Sequence, residues 1–438
     1  MNAYAKKLVI ALLLLALILP TVAFAGGQAE GKKEGTIKYW HGYPEYDVVW
    51  KDIAAKDFMA KYPTVKVEVS SFPLRDFEKK LALALPAGSG PDLFFLSLPY
   101  LIKYIDAGLV DKSPAAVMSF VKKSFVPLWQ VRATYKDAVW GIPYNGELKG
   151  AYWNVSMYQE AGLNRAPKNW AEMIDFAKKT TKYDASGNVV RSGVSLRLSG
   201  SGSGIAEKFW MWLMPAGGTI AEAGKQLGKY HAGYDNEAGR ATLKLYIDLL
   251  YKHKVDSANI KHDSEAFALE QTAYFQREAW VIGYMKEHAP NVKYDTAPLP
   301  VEKRAGGMLE STNLNVSGKS TIKALAWEFA LFLSEEKYLK EIIEKVGWLP
   351  CRTDVDYSDI YKKEPRFKSF MTIPEGYVGE PYPYITTSDE IYTKLADRLV
   401  PAYQDKSLLD NPAGIAKVIA EAAKQTNDIL KEAGEYGE

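Results

Sequence analysis

Three glycines at alternate positions, Gly200, Gly202 and Gly204, separate a strand-like stretch that ends in Leu196-Arg197-Leu198 from a segment with helical spacing that reaches Trp212. A glycine-rich turn between a strand and a helix is the arrangement that aims backbone N–H groups and a helix N-terminus at a pyrophosphate. The G-x-G-x-x-G pattern needs its third glycine where Ile205 stands, and no Lys-Ser/Thr pair completes a phosphate loop, so a nucleotide is not expected. Gly200-Ser201-Gly202-Ser203-Gly204 also has the G-x-S-x-G outline of a nucleophile elbow, a match that a serine-glycine repeat makes almost automatically. His41, His231, His253, His262 and His288 form no H-x-x-x-H or H-E-x-x-H spacing, and the single cysteine, Cys351, cannot build a zinc site. No metal and no cofactor is expected. Acid pairs for glycosidic cleavage stay open on spacing alone, because 53 Asp and Glu guarantee neighbours.

More specific chemistry lies in short segments that follow strand-like runs. "WHGYPE" carries Trp40, His41, Tyr43 and Glu45; "SLPYL" carries Ser97 and Tyr100; "GIPYNGELKG" carries Asn145 and Glu147. In open α/β sheets ligands bind outside the carboxyl ends of strands. Aromatic rings beside single polar groups suit a sugar, whose C–H faces stack on rings while its hydroxyls take paired donors and acceptors. For any one ring, core packing is the commoner role. Recurrence at successive strand ends is what points to a carbohydrate.

The elements that would position these residues alternate. "TIKYW" reads as a strand; Trp50, Ile53, Ala54, Phe58 and Tyr62 then repeat at helical spacing, and "VKVEV" alternates as a second strand. An amphipathic helix ending near Leu85, the breaker "PAGSGPD" and the continuous apolar run "LFFL" follow, the last having the composition of a strand buried on both faces. Strand, helix, strand, helix, strand specifies an α/β lobe. Further on, "NWAEMIDFAKKTT" predicts a helix, "VSLRLS" a strand, and "RATLKLYIDLLYKHK" and "EAFALEQTAYF" further helical or mixed pieces. The closing part is mostly helical, and Asn411-Pro412 predicts the start of the last helix, an N-cap followed by proline at the first helical position. The length exceeds what one hydrophobic core organises, so two lobes are expected.

At the N-terminus, Lys6 and Lys7 precede an apolar run that ends at Pro20, and Ala23-Phe24-Ala25 forms a small-x-small cleavage site. The run is shorter than the roughly 20 residues that span a bilayer. It reads as a signal peptide over 1–25, followed by a polar, glycine-rich disordered leader over 26–35. With no cysteine at the cleavage site to carry a lipid, a periplasmic protein is expected. A net charge of +2 lacks the basic excess of a nucleic-acid surface.

In order along the chain stand "IKYWHG", "FMAKYPTVKVEV", "ALPAGSGPDLFF", "YIDAGLVDKSP", "VWGIPYNGELKGAYWN", "YQEAGLNRAPKNWAEMIDFAKK", "TAPLP" and "KALAWEFALFLSEEKYL", the last followed by "GWLPCRT". Together they resemble the family 1 extracellular solute-binding proteins, the sugar-capturing subunits of ABC importers, over nearly everything from Thr36 onward. The resemblance implies an α/β, two-lobed periplasmic-binding-protein fold of type II, with a hinge between the lobes and the ligand cleft at their interface. It puts hinge crossings near Glu147, Glu310 and Thr353, hence an N-terminal lobe of 36–147 plus 311–353 and a C-terminal lobe of 148–310 plus 354–438. It matches Trp40 and His41 to the first ligand loop, and Ser97 and Tyr100 to the loop after "PDLFF". It also matches Glu147 to a sugar-contacting hinge acid of the maltose binders, Trp280 to a tryptophan on which sugar rings stack, and Trp348 to the residue before a cleft-lining "LP-x-R" turn. The segment with Ser203 and Trp210 matches a second-lobe stretch that bears ligand contacts, so its glycines are read as backbone able to approach a sugar closely.

Tyr100 stands where the maltose binders have arginine, and Pro99 where they have an acid, so maltose itself is not implied. The function implied is capture of a sugar or oligosaccharide by a monomer, for delivery to a membrane permease, without catalysis. Two rivals stay open: an anionic solute such as a glycerol phosphate or uronate oligosaccharide, for which Lys149 and Arg197 are candidate partners, and a secreted glycosidase.

Overall fold

The computed structural model describes residues 33–146, 148–199, 202–226, 228–261 and 263–438. The expected signal peptide, most of the leader, Glu147, Gly200, Ser201 and His262 lie outside them.

Strand β1 (Gly35–His41) begins one residue before the expected lobe start, inside the stretch read as leader, and turns Ile37 and Tyr39 inward. It pairs in parallel with β2 (Val65–Ser71), from Gly35 opposite Val65 to His41 opposite Ser71. Between them a helical segment ending in α1 (Ala55–Lys61) buries Trp50, Ala54 and Phe58 one turn apart. Helix α2 (Leu74–Ala87) buries Phe77, Leu81 and Leu85 and stops at Gly88, whose φ of 67° is the left-handed C-terminal turn that glycine adopts without strain. All of β3 (Leu93–Ser97) is buried, as its unbroken apolar run requires. Ser97 passes directly into α3 (Leu98–Asp106), with Pro99 in its first turn, so "SLPYL" is a helix start and not a loop.

After β4 (Ile142–Asn145) the chain leaves this sheet for β5 (Gly150–Asn154). Then come α4 (Trp170–Thr180), capped by Asn169; the largely buried α5 (Gly204–Leu213); α6 (Glu237–Ile247); β6 (Tyr274–Arg277); α7 (Val281–His288); and β7 (Tyr294–Pro298). Strand β8 (Thr312–Val316) returns to the first sheet, followed by α8 (Lys323–Leu333), α9 (Glu336–Lys345), α10 (Ser388–Gln404) and α11 (Pro412–Glu432). The Asn411 side chain caps α11 by accepting the Gly414 N–H at 2.9 Å. The first sheet has the order β2-β1-β3-β8-β4 and the second β6-β5-β7. Strand β8 inserts antiparallel to both neighbours, so the first sheet is mixed and not wholly parallel. One lobe packs around Tyr39, Trp50, Phe58, Phe95 and Phe329, the other around Phe209, Trp210, Trp212, Tyr246 and Tyr403.

The predicted strand "VSLRLS" does not form. Arg197 adopts a φ of 55°, outside extended geometry, and the Leu196 N–H is taken by the Asp256 carboxylate at 2.9 Å instead of a neighbouring strand. Burial, with Asp263 adding repulsion, pushes the Asp256 carboxyl up to about 7 from 3.8. The folded chain therefore keeps a proton that the unfolded chain releases between pH 3.8 and about 7, and stability falls as pH rises through that window. Asp256→Asn keeps an acceptor for Leu196 without the buried charge. It is expected to raise stability at pH 8 by on the order of 3 kcal/mol and to leave it nearly unchanged at pH 4. Urea denaturation of parent and variant at the two pH values checks this; an equal pH dependence in both would show that Asp256 does not titrate there.

Candidate functional site

Two cavities share Trp348. The inner one, of about 150 Å³, lies where the chain crosses between the sheets, at the end of β4 and the start of β8. The outer one, of about 800 Å³, runs between α7 and the C-terminal end of α9.

Asn145 ends β4, and its amide spans the crossing: Nδ2 donates to Tyr46 Oη at 3.0 Å, and Oδ1 accepts the Thr312 N–H at 3.2 Å. Tyr43, Thr312 and Trp348 line the inner chamber beside it. Tyr43 is half-buried, edge-on to Phe95 at 5.6 Å and to Trp348 at 6.3 Å. The Trp348 indole N–H donates to Glu45 Oε1 at 3.2 Å, and Glu45 is an exposed residue of the outer groove.

From the other side come Lys149, Glu207, Glu278, Glu380 and Tyr382. Lys149 pairs with Glu278 at 2.7 Å, and Arg304 with Glu380 at 3.1 Å. Burial would raise the Glu278 carboxyl, yet Lys149 and Arg277 hold it well below the usual carboxylate range. Tyr382 hydrogen-bonds Glu207, and burial keeps its phenol neutral. Glu310, in the return crossing, differs: the Ser311 N–H reaches Oε1 at 3.0 Å, while Oε2 is shut off from solvent with no hydrogen-bond partner among the described residues. Burial pushes its carboxyl up to about 7 despite the attraction of Arg132.

Trp280, at the N-terminus of α7, and Trp348 both line the outer groove. The Trp280 indole N–H donates to Glu278 Oε2 at 3.3 Å, and the Arg277 guanidinium sits 5.5 Å from its ring. A groove lined by two half-buried indoles, sharing Trp348 with a small chamber of carboxylates, amides and phenols, offers stacking faces and hydroxyl partners together.

Several other candidates lie elsewhere. His41 is 0% exposed, edge-on to Trp50 at 4.9 Å, with Nε2 3.0 Å from Asp47 Oδ1. Burial lowers its pKa to about 4, so it is a neutral core histidine at pH 7. Trp210 is 1% exposed and packs edge-on behind Tyr382 at 5.6 Å, which makes it the backing of a chamber residue and not a wall. Trp40 packs edge-on to Phe72 at 5.5 Å. Ser97 is buried at the start of α3, and Tyr100 lines a third cavity of about 470 Å³ together with Ser388 and Asp389. Ser203 precedes α5. A Cβ on Gly204 would meet the Arg197 guanidinium at 2.7 Å, whereas one on Gly202 would meet nothing within 4 Å. The close approach that Gly204 permits is therefore to Arg197. Glu147 lies outside the described residues.

The sequence reading missed Glu207, Glu278, Thr312, Glu380 and Tyr382. Only Glu278 carried a signal, its place two residues before Trp280; the others come together through strand register and lobe packing. Lys149 and Arg197, the cations that kept an anionic ligand open, already have carboxylate partners, Glu278 at 2.7 Å and Asp263 at 3.6 Å. Among the described residues there is no cluster of His, Cys, Asp and Glu able to hold a metal, and no helix is long and apolar enough to cross a membrane.

Comparison with known proteins follows the same lines. A family model described as bacterial extracellular solute-binding protein matches residues 54–369. The maltotriose-binding protein of Pyrococcus abyssi is 22% identical, over 77% of this chain and 71% of its own length. The galactooligosaccharide-binding protein of Bacillus subtilis is 25% identical, over 84% of this chain and 88% of its own. The structure of an ABC transporter solute-binding protein from Thermotoga lettingae, bound with alpha-D-tagatose, superposes with a TM-score of 0.69 at 24% identity, covering 91% of this chain and 100% of that one.

Proposed function

The chain belongs to the bacterial extracellular solute-binding proteins, and on that premise we propose that it captures a neutral oligosaccharide between its lobes and delivers it to the permease of an ABC importer. The observation that carries this reading is the pair of half-buried indoles, Trp280 and Trp348, that line one groove, with Trp348 shared between it and a polar chamber. Sugar rings stack on the indoles, and hydroxyls take the carboxylates of Glu45, Glu207 and Glu310 and the phenol of Tyr382. Hydrogen bonds to charged groups in a dewatered chamber are the strong ones. The relatives that bind maltotriose and galactooligosaccharides support the ligand class. Family membership favours binding over glycoside cleavage, and the pairing of Lys149 and Arg197 argues against a phosphate or uronate.

Closure of the lobes about the crossing strands is the signal: a ligand that touches both lobes shifts the population toward the closed state, which the permease reads by shape. The protein acts as a monomer in the periplasm. The test is a thermal-shift and calorimetric panel of maltotriose, galactooligosaccharides, oligogalacturonate and glycerol 3-phosphate. A neutral oligosaccharide at 100 times its Kd is expected to stabilise by about 2.7 kcal/mol, with no response to the two anions. A stronger response to either anion, or turnover of a labelled oligosaccharide, would overturn the reading.

A further inference from the structure

Trp280 stands at the N-terminus of α7, edge-on to Tyr284 of the same helix at 6.1 Å, and its indole N–H is held by Glu278 two residues before it. What holds Glu278 in turn comes from the neighbouring strand. Strands β5 and β6 are antiparallel with Gly150 opposite Arg277. One step beyond that pair, Lys149 and Glu278 are brought side by side, their side chains only 15% and 14% exposed. Lys149 Nζ holds Glu278 Oε1 at 2.7 Å, which leaves Oε2 to accept the Trp280 indole N–H at 3.3 Å, with Arg277 Nε also 3.3 Å away. The Arg277 guanidinium lies 5.5 Å from the Trp280 ring, so the indole is held both at its edge and near its face.

We infer that Lys149 is a positioning residue for the ligand-stacking surface: through Glu278 it sets the orientation of Trp280, and so ties one aromatic wall of the groove to the crossing strand on which the lobes turn. The inference rests on the reading of this groove as the oligosaccharide site. Lys149 lies between β4 of one sheet and β5 of the other, so a change in crossing geometry is carried to the indole through two short polar contacts. Both oxygens of the carboxylate are committed, which makes the arrangement directional. A freely rotating indole would have to be ordered by the ligand itself, at the cost of that side chain's rotamer freedom.

The test is a double-mutant cycle on maltotriose binding with Lys149→Met, which keeps the stem and removes the charge. Lys149→Met is expected to weaken binding about tenfold in the parent, but less than about twofold in a Trp280→Ala background, because a residue that acts through Trp280 has nothing left to orient. Lys149→Arg, which restores the cation, is expected to stay within about threefold of the parent. An equal loss in both backgrounds would make Lys149 a direct ligand contact, and unchanged affinity in Lys149→Met would remove the role; either overturns the inference. A ligand-free readout runs alongside: acrylamide quenching attributable to Trp280, obtained by difference against Trp280→Phe, is expected to rise in Lys149→Met and return in Lys149→Arg. If maltotriose binds none of the proteins and the rest of the panel is also silent, the oligosaccharide reading falls. Unchanged quenching in Lys149→Met overturns the positioning role whatever the panel shows.

Discussion

Trp280→Ala and Trp348→Ala are each expected to weaken oligosaccharide binding by on the order of 2 kcal/mol, roughly thirtyfold in Kd, as for aromatic anchors at the centre of a binding surface. Both indoles are half-buried, and each spends its N–H on a glutamate of the same wall, Glu278 or Glu45. Truncation therefore opens the groove and leaves the lobe interior packed. Trp210 supplies the contrast. It is 1% exposed between Tyr382 and Tyr392, and Trp210→Ala is expected to cost about 3–5 kcal/mol of folding stability through the cavity it leaves. Calorimetry with a neutral oligosaccharide and urea denaturation on all three variants separate the cases. Early unfolding with normal affinity in Trp280→Ala and Trp348→Ala would make those residues core and remove the aromatic walls from the site.

A stability effect as large as that of Trp210→Ala is expected from a charged pair outside the cleft. Lys208 is 2% exposed at its side chain, points its ammonium at Asp263 Oδ1 2.9 Å away, and also donates to the Gln276 carbonyl. Burial lowers the Lys208 pKa, and Asp263 is its principal counterweight. Asp263→Asn preserves shape, and asparagine tolerates the φ of 55° at this position, so only the charge is lost. Breaking a buried pair from one side leaves the other charge uncompensated, with an expected loss of about 3–5 kcal/mol. Adding Lys208→Met should recover part of it, because the fully buried ammonium is then gone, while Arg197, whose side chain is 22% exposed, still lacks the Asp263 carboxylate 3.6 Å away. Urea denaturation at neutral pH checks both steps; a single variant as stable as the parent would show that the pair is solvated in solution.

Local patterns in the sequence were enough for elements whose side chains decide their own conformation. The alternation of Ile37 and Tyr39 in β1, the unbroken apolar run of β3 and the Asn411 cap of α11 all appear where period and capping chemistry place them. The alternation of strands and helices was also enough for the α/β class, and the resemblance of the segments from "IKYWHG" to "GWLPCRT" for the family. The site was legible only in kind. Rings next to polar groups indicate sugar chemistry, but whether a ring faces a cleft or a core depends on what packs over it, and that is contributed by residues distant in the chain. His41 went inside because Trp50 and Asp47 close over it, and Trp210 because Tyr382 and Tyr392 do. The segment "VSLRLS" lost its strand because a buried carboxylate sixty residues away in the chain, Asp256, took its backbone N–H. Lys149 and Glu278 are 129 positions apart, and nothing in either neighbourhood announces the pair. The register of β5 against β6 joins them, and register is settled by which faces of the whole sheet are buried, a property of the assembled lobe and not of either strand.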